Sequence, residues 1–153
     1  MNIREAHVQD VTEIRSLIVR AVEPECNPDF DEAGVKLFYK PNELSAIMSR
    51  ILDDNYLTLC LVIDDRIVGI ITMHEHEKLD QLFVDPSFRN MGISRELWLA
   101  AKEHCLKMGN ERGFWVKSST VAVPVYQAFG FRLTDARQQK NGITYYPMEL
   151  KLP

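Results

Sequence analysis

Long apolar runs are missing from this chain, and no stretch approaches the roughly 20 residues that a membrane-crossing helix needs. Runs of lysine and arginine are missing too, and with a net charge of -4 the chain offers no basic surface to a nucleic-acid backbone. Cysteine is scarce. Cys26, Cys60 and Cys105 are three in number and far apart, which fits neither a disulfide framework nor a Cys/His metal site. Glycine is sparse as well, with seven in all, and neither phosphate-binding signature is present. No glycine loop ends in Lys-Ser/Thr, and no first strand is followed by three spaced glycines. The opening residues "MNIREAHVQD" are charged and carry no apolar signal core. Together these absences lead us to expect a cytoplasmic protein with reduced thiols, working without nucleic acid, membrane or metal.

What is there is an ordinary globular composition, 46% apolar and 26% charged over 153 residues. That is enough for one domain with its own core, expected to span 1–153. "NIREA" reads as a first strand. "DVTEIRSLIVRAV" reads as a helix, with Asp10 and Glu13 at capping-box spacing and Val11, Ile14, Leu17, Ile18 and Ala21 on one face. The acidic, proline-containing "EPECNPDFDEAG" predicts a loop, followed by helix in "VKLFYK" and "NELSAIMSRIL". "NYLTLCLVID" and "RIVGIITMHE", joined at "DD", predict a hairpin, and "LDQLFVD" a further strand. "SRELWLAAKEHCLKM" is amphipathic, with Leu97, Ala100, Ala101, Cys105 and Met108 inward. "GFWVKS" is a strand, "VAVPVYQAFG" a short helix closed by Gly130, and "FRLTDAR" and "ITYYPMEL" a final pair joined through "KNG". Trp98 and Trp115 read as core. This order gives an α/β (α+β) fold, a single mixed, mostly antiparallel central sheet with helices on both faces.

"FVDPSFRNMGIS" places Arg89, Asn90 and Gly92 where a strand hands over to a helix. The residues alone fit two readings. The unpaired N–H groups and dipole of a helix start hold a phosphate well, and Gly92 would let the backbone come close. A plain strand-to-helix turn would look the same.

The surrounding "LDQLFVDPSFRNMGISRELW" resembles the acyl-CoA-binding segment of the GNAT superfamily of N-acetyltransferases, in which a strand leads into Gln/Arg-x-x-Gly-x-Gly/Ala at a helix start. Ser94 stands at the final small position. "VKSSTVAVPVYQAFGF" resembles a second GNAT segment, with Tyr126, Gly130 and Phe131 at the Tyr and Gly-Phe positions and Lys117 where Asn is common. The resemblance implies transfer of acetyl from acetyl-CoA, as co-substrate, to an amine. It implies cofactor contacts from the strand edge at Leu82, Phe83 and Val84, from Arg89, Asn90, Met91, Gly92, Ile93 and Ser94, and from Ser119. It implies Tyr126 as the acid that protonates the thiolate, where the bare alternative is a core aromatic. Asp80, two residues before Leu82 and so expected on its strand face, is the candidate base, with a solvated strand residue as the alternative. On the next strand Phe114, Val116 and Lys117 do not suit a base.

"MHEHEK" puts His74 and His76 on one face, but no third ligand follows at a metal spacing. His74 or Glu75 is instead a candidate for lining the substrate site, and Leu37, Phe38 and Tyr39 for walling it. The acidic residues Glu23, Glu25, Asp29, Asp31 and Glu32 lead us to expect a small cationic amine as acceptor. The competing readings are a non-catalytic acyl-CoA module, a nucleotide binder, or acetylation of a protein N-terminus or lysine. A homodimer through the C-terminal strands is expected only by analogy with such folds.

Overall fold

The protein is described here from a computed structural model covering residues 1–153. Strand β1 (Asn2–Glu5) is followed by helices α1 (Val11–Val22), α2 (Glu32–Tyr39) and α3 (Leu44–Leu52). Strands β2 (Tyr56–Ile63), β3 (Arg66–His74) and β4 (Lys78–Val84) come next, then helix α4 (Ile93–Lys107), strand β5 (Phe114–Ser118) and helix α5 (Val123–Ala128). The chain closes with β6 (Arg132–Leu133), β7 (Gln138–Lys140) and β8 (Ile143–Leu150).

The strands form one sheet in the order β1-β2-β3-β4-β5-β8-β6, with β7 paired to β8. Every pairing is antiparallel except β4 with β5. That exception follows from α4, whose crossover returns the chain in the same direction. Asp64 and Asp65, both at positive φ (49° and 62°), make the tight turn expected at "DD".

Two apolar clusters sandwich the sheet. Leu59, Leu61, Ile71, Met73 and Leu79 join Ile93, Leu97, Trp98 and Ala101 of α4 on one face. Cys60, Ile67 and Ile70 join Val11, Ile14, Leu17 and Ile18 of α1 and Ile47 of α3 on the other. Coverage on both faces is why β3 is an almost unbroken apolar run rather than an alternating one. Burial pushes the thiols of Cys60 up to about 12 and Cys105 up to about 11, so both are unreactive packing residues.

Local details depart from the sequence reading. The capping box at Asp10 and Glu13 is not formed. The Asp10 carboxylate instead takes two bonds from Arg4, at 2.8 and 3.0 Å, and one from the His7 N–H at 2.7 Å. Glu13 accepts from the Ile67 N–H at 3.0 Å, tying α1 to the sheet. Helix α2 starts inside the supposed loop, because Asp31 caps it through the Gly34 N–H at 2.9 Å. Met108 lies past the end of α4 and is 58% exposed, and Trp115 is 40% exposed rather than core. The "KNG" turn does form, but it joins Gln138–Lys140 to β8, while Arg132–Leu133 pairs farther along the same strand.

Gly69 of β3 sits directly under α4. A Cβ there would meet Ile93 Cγ2 at 2.8 Å and Leu97 Cδ1 at 3.0 Å. Gly69→Val is therefore expected to cost about 1–3 kcal/mol by overpacking, read as a lower urea midpoint with an unchanged m value.

Candidate active site

The parallel pairing of β4 and β5 consists of Lys78 with Trp115 and Leu79 with Val116, and then stops. Beyond it the strands part. Residues Gln81 to Val84 keep their partners on β3 but have none on the β5 side. The Asp85 N–H bonds to the Val68 carbonyl at 2.8 Å. Antiparallel alternation then turns the backbone groups of Phe83 and Gln81 to β3 and those of Leu82 and Val84 to the gap. The gap opens into a cleft of about 820 Å³ whose lining includes Asp80, Leu82, Phe83, Val84, Ser119 and Tyr126.

At one end of the cleft stands the start of α4. Asp85 is 4% exposed. It accepts from the Ser87 N–H at 2.9 Å and from Arg20 at 2.9 Å, which together hold its carboxyl below the usual range. Its aspartate thus fastens the turn after β4 to α1. Arg89 donates to the Ala21 carbonyl at 3.0 Å, a second tie to α1. Asn90 (φ 64°) and Gly92 (φ 76°) are both left-handed, which gives the loop a concave run of backbone. The first bond of α4 runs from the Glu96 N–H to Gly92 O at 3.0 Å, so the N–H groups of Ile93, Ser94 and Arg95 precede the ladder and are free for an anion. A Cβ built on Gly92 meets nothing within 4 Å, so the space above this backbone is open. Arg89, Asn90, Gly92, Ile93 and Ser94 line the cleft. The Ile93 side chain is core, 2% exposed, so only its backbone can serve a ligand. Met91 does not line the cleft and is 53% exposed.

Tyr126 is 6% exposed, packed edge-on to Phe129 and Phe131. The ring is core, and the residue also borders the cleft. Burial raises the phenol above its ordinary range. Asp80 does not share the face of Leu82. The register shifts between Thr72 and Met73 of β3 leave Asp80 as an extra residue on β4, and such a bulge breaks the two-residue alternation. Leu82 therefore joins Leu79 on the α4 side. Asp80 lies on the side of Lys78, at 3.1 Å, with Arg50 and Tyr56 in its field.

The acidic segment turns out to be a structural roof. Asp29, 6% exposed, takes both the Thr120 N–H, at 2.9 Å, and the Thr120 hydroxyl, while its carbonyl accepts from the Thr144 N–H at 2.7 Å. Asp31 is spent on the α2 cap, and Glu25 accepts from the Tyr39 hydroxyl. Of the five carboxylates only Asp29 borders the cleft, and its two oxygens are engaged. Leu37 and Phe38 wall the cleft as expected, whereas Tyr39, His74 and Glu75 do not reach it. His74 stacks on Tyr56 at 4.4 Å instead. Sequence reasoning missed Gln81, which donates to Asn42 at 2.9 Å and so links β4 to the α2–α3 junction.

A family model described as an acetyltransferase (GNAT) domain matches residues 26–152. The chain belongs to the GNAT acetyltransferases. It is an acetyl-CoA-dependent N-acetyltransferase. Among solved structures, the PaiA N-acetyltransferase of Thermoplasma acidophilum, in complex with coenzyme A, superposes with a TM-score of 0.85. It is 16% identical, over 99% of this chain and 98% of its own. A ribosomal-protein-alanine N-acetyltransferase from Brucella melitensis gives 0.72 at 16% identity, over 99% and 100% of the two chains. An aminoglycoside 6'-acetyltransferase type Ii gives 0.74 at 13% identity, over 100% and 99%. At these identities the likeness is one of fold. No curated protein matches the sequence. No helix is long and apolar enough to cross a membrane.

Three substitutions test this GNAT site. Asp29→Asn puts an amide donor where Thr120 already donates, and is expected to cost about 1–3 kcal/mol of stability, measured by chemical denaturation. Gly92→Val, in a folded variant, is expected to raise the acetyl-CoA Kd at least tenfold by calorimetry, because a left-handed backbone and a side chain in open ligand space are both disturbed. Arg89→Ala should raise it less.

Proposed function

We propose that this enzyme acetylates a primary amine of a small molecule held between the roof and the open edge of β4. The observation that carries the reading is the gap beside Leu82 and Val84. An extended amide-bearing arm can pair there as a neighbouring strand would, and the same N–H groups can polarise a thioester carbonyl. Backbone N–H groups at Ile93, Ser94 and Arg95 would take the pyrophosphate, and Ser119 borders the same cleft.

The acceptor nitrogen must be neutral to attack. Asp80, 3.1 Å from the Lys78 ammonium, accepts its proton, directly or through water. The C–N bond forms as the C–S bond breaks, and Tyr126 gives its proton to the departing sulfur. Burial keeps that phenol protonated across the physiological range, so the acid is always loaded.

The small-molecule assignment rests on the roof. Residues 27–31 are fastened to the start of α5 through Thr120 and to β8 through Thr144 and the Phe30–Ile143 bridge, which closes one side of the acceptor space. The fold itself does not choose an acceptor, since similar folds carry the ribosomal-protein and aminoglycoside acetyltransferases alike. The acidic segment gives a cationic amine little support, because only Asp29 of its five carboxylates borders the cleft and both its oxygens are engaged by Thr120.

Tyr126→Phe keeps the ring and removes the proton. It is expected to lower kcat on the order of tenfold or more while acetyl-CoA affinity stays within twofold. Because the phenol titrates above its usual range, an alkaline limb in kcat below about pH 10 should persist in the variant. A limb that disappears with the hydroxyl would show that Tyr126 titrates there and contradict its placement.

A further inference from the structure

The charges at the acceptor end do not balance. Lys117, on β5 just past the point where the strands part, lines the cleft. Its Nζ lies 5.1 Å from the centre of the Tyr145 ring, which lines the same space. No carboxylate lies within 4 Å of it. The two acidic residues bordering the cleft are already engaged, Asp29 by Thr120 and Asp80 by Lys78. Lys78 and Lys140 add further positive field around Lys117, with Asp80 as the one opposing charge. Lys117 is exposed as a residue, but desolvation from the neighbouring protein and these like charges depress its ammonium, as expected of a cation with no counterion of its own. Arg89 and Arg95 stand apart from this group, beside the start of α4.

We infer that the acceptor amine also carries a carboxylate, and that Lys117 is the specificity residue that receives it. This rests on the small-amine acetylation proposed above. The geometry suits an amino-acid-like molecule. Its amine would lie toward Asp80 and the sulfur-facing Tyr126, its carboxylate toward the Lys117 ammonium, and its side chain against Phe30, Leu37 and Phe38. A carboxylate would supply the counterion that Lys117 lacks. Charge-assisted hydrogen bonds are roughly twice as strong as neutral ones, and at an exposed lysine they are weakened by salt. A dicationic or polycationic amine would instead meet Lys117 and Lys78 as like charges.

The test is thiol release from acetyl-CoA with matched sets of acceptors sharing one side chain: the free amino acid, its carboxamide, and the decarboxylated amine. For the wild-type enzyme kcat/KM is expected to favour the acid at least tenfold over its amide, with most of the difference in KM. The advantage should shrink as salt rises. Lys117→Gln should collapse the ratio toward one, Lys117→Arg should retain most of it, and the acetyl-CoA Kd measured by calorimetry should not move in either variant. A wild-type preference for the amides or the decarboxylated amines would overturn this inference and leave acetyl transfer to small amines standing. The same holds if Lys117→Gln keeps the full ratio. No thiol release above hydrolysis with any amine, in an enzyme that binds acetyl-CoA, would overturn both.

Discussion

The early end of the β4–β5 ladder is the constraint on which the rest of the structure depends. Two opposed features produce it. Asp80 is an extra residue in β4, and a bulge bends its strand and increases its twist. Strand β5, meanwhile, is fully paired to β8 from Phe114–Leu150 to Ser118–Tyr146, so it follows β8 away from β4. The two strands are in register only at their N-terminal ends, where Trp115 also bonds to the Glu77 carbonyl at 3.1 Å. An unpaired strand edge inside a sheet is normally a liability. Here it lies within the cleft, where the co-substrate of an acetyltransferase can complete it.

Everything around the gap fixes its two walls. On the β4 side, Gly69 lets α4 settle onto β3, which sets the position of the helix start. Asp85 and Arg89 then fasten the intervening loop to α1. On the β5 side, the Schellman-type closure of α5, with the Phe131 N–H on the Tyr126 carbonyl at 3.0 Å and Gly130 at φ 101°, holds Tyr126 against the aromatic cluster. The roof joins the two sides. Gly34 and Gly142 let α2 and the β7–β8 turn touch without side chains between them: a Cβ on Gly34 would lie 2.3 Å from Gly142 O. Binding geometry is therefore supported by packing in place before any ligand arrives.

Element order was legible in the sequence because it depends on local periodicity, and so was the start of α4, because Gly92 and Asn90 mark left-handed backbone within a few residues. The family resemblance was legible for the same reason: its motifs are short and contiguous. What escaped was non-local. The bulge at Asp80 is defined by the register with β3, so counting along β4 alone put Asp80 on the wrong face. Asp29 reads as one member of an acidic run that would attract a cation, yet its partner Thr120 lies 91 residues away. A sequence cannot distinguish a spent carboxylate from a free one. In the sequence Lys117 reads only as a residue unsuited to be a base, at a motif position where Asn is common, since the absence of a counterion is visible only in the assembled cleft. Trp115 likewise reads as core until the sheet leaves its face uncovered.

The central claim, that the gap beside β4 receives the co-substrate, is tested most directly by residue-resolved amide exchange with and without saturating acetyl-CoA. The Leu82 and Val84 amides face the gap and should exchange markedly more slowly in the complex, together with those of Ile93, Ser94 and Arg95. The Phe83 amide, already bonded to β3, should barely change. Unaltered exchange at Leu82 and Val84 in a protein shown to bind acetyl-CoA would contradict the account.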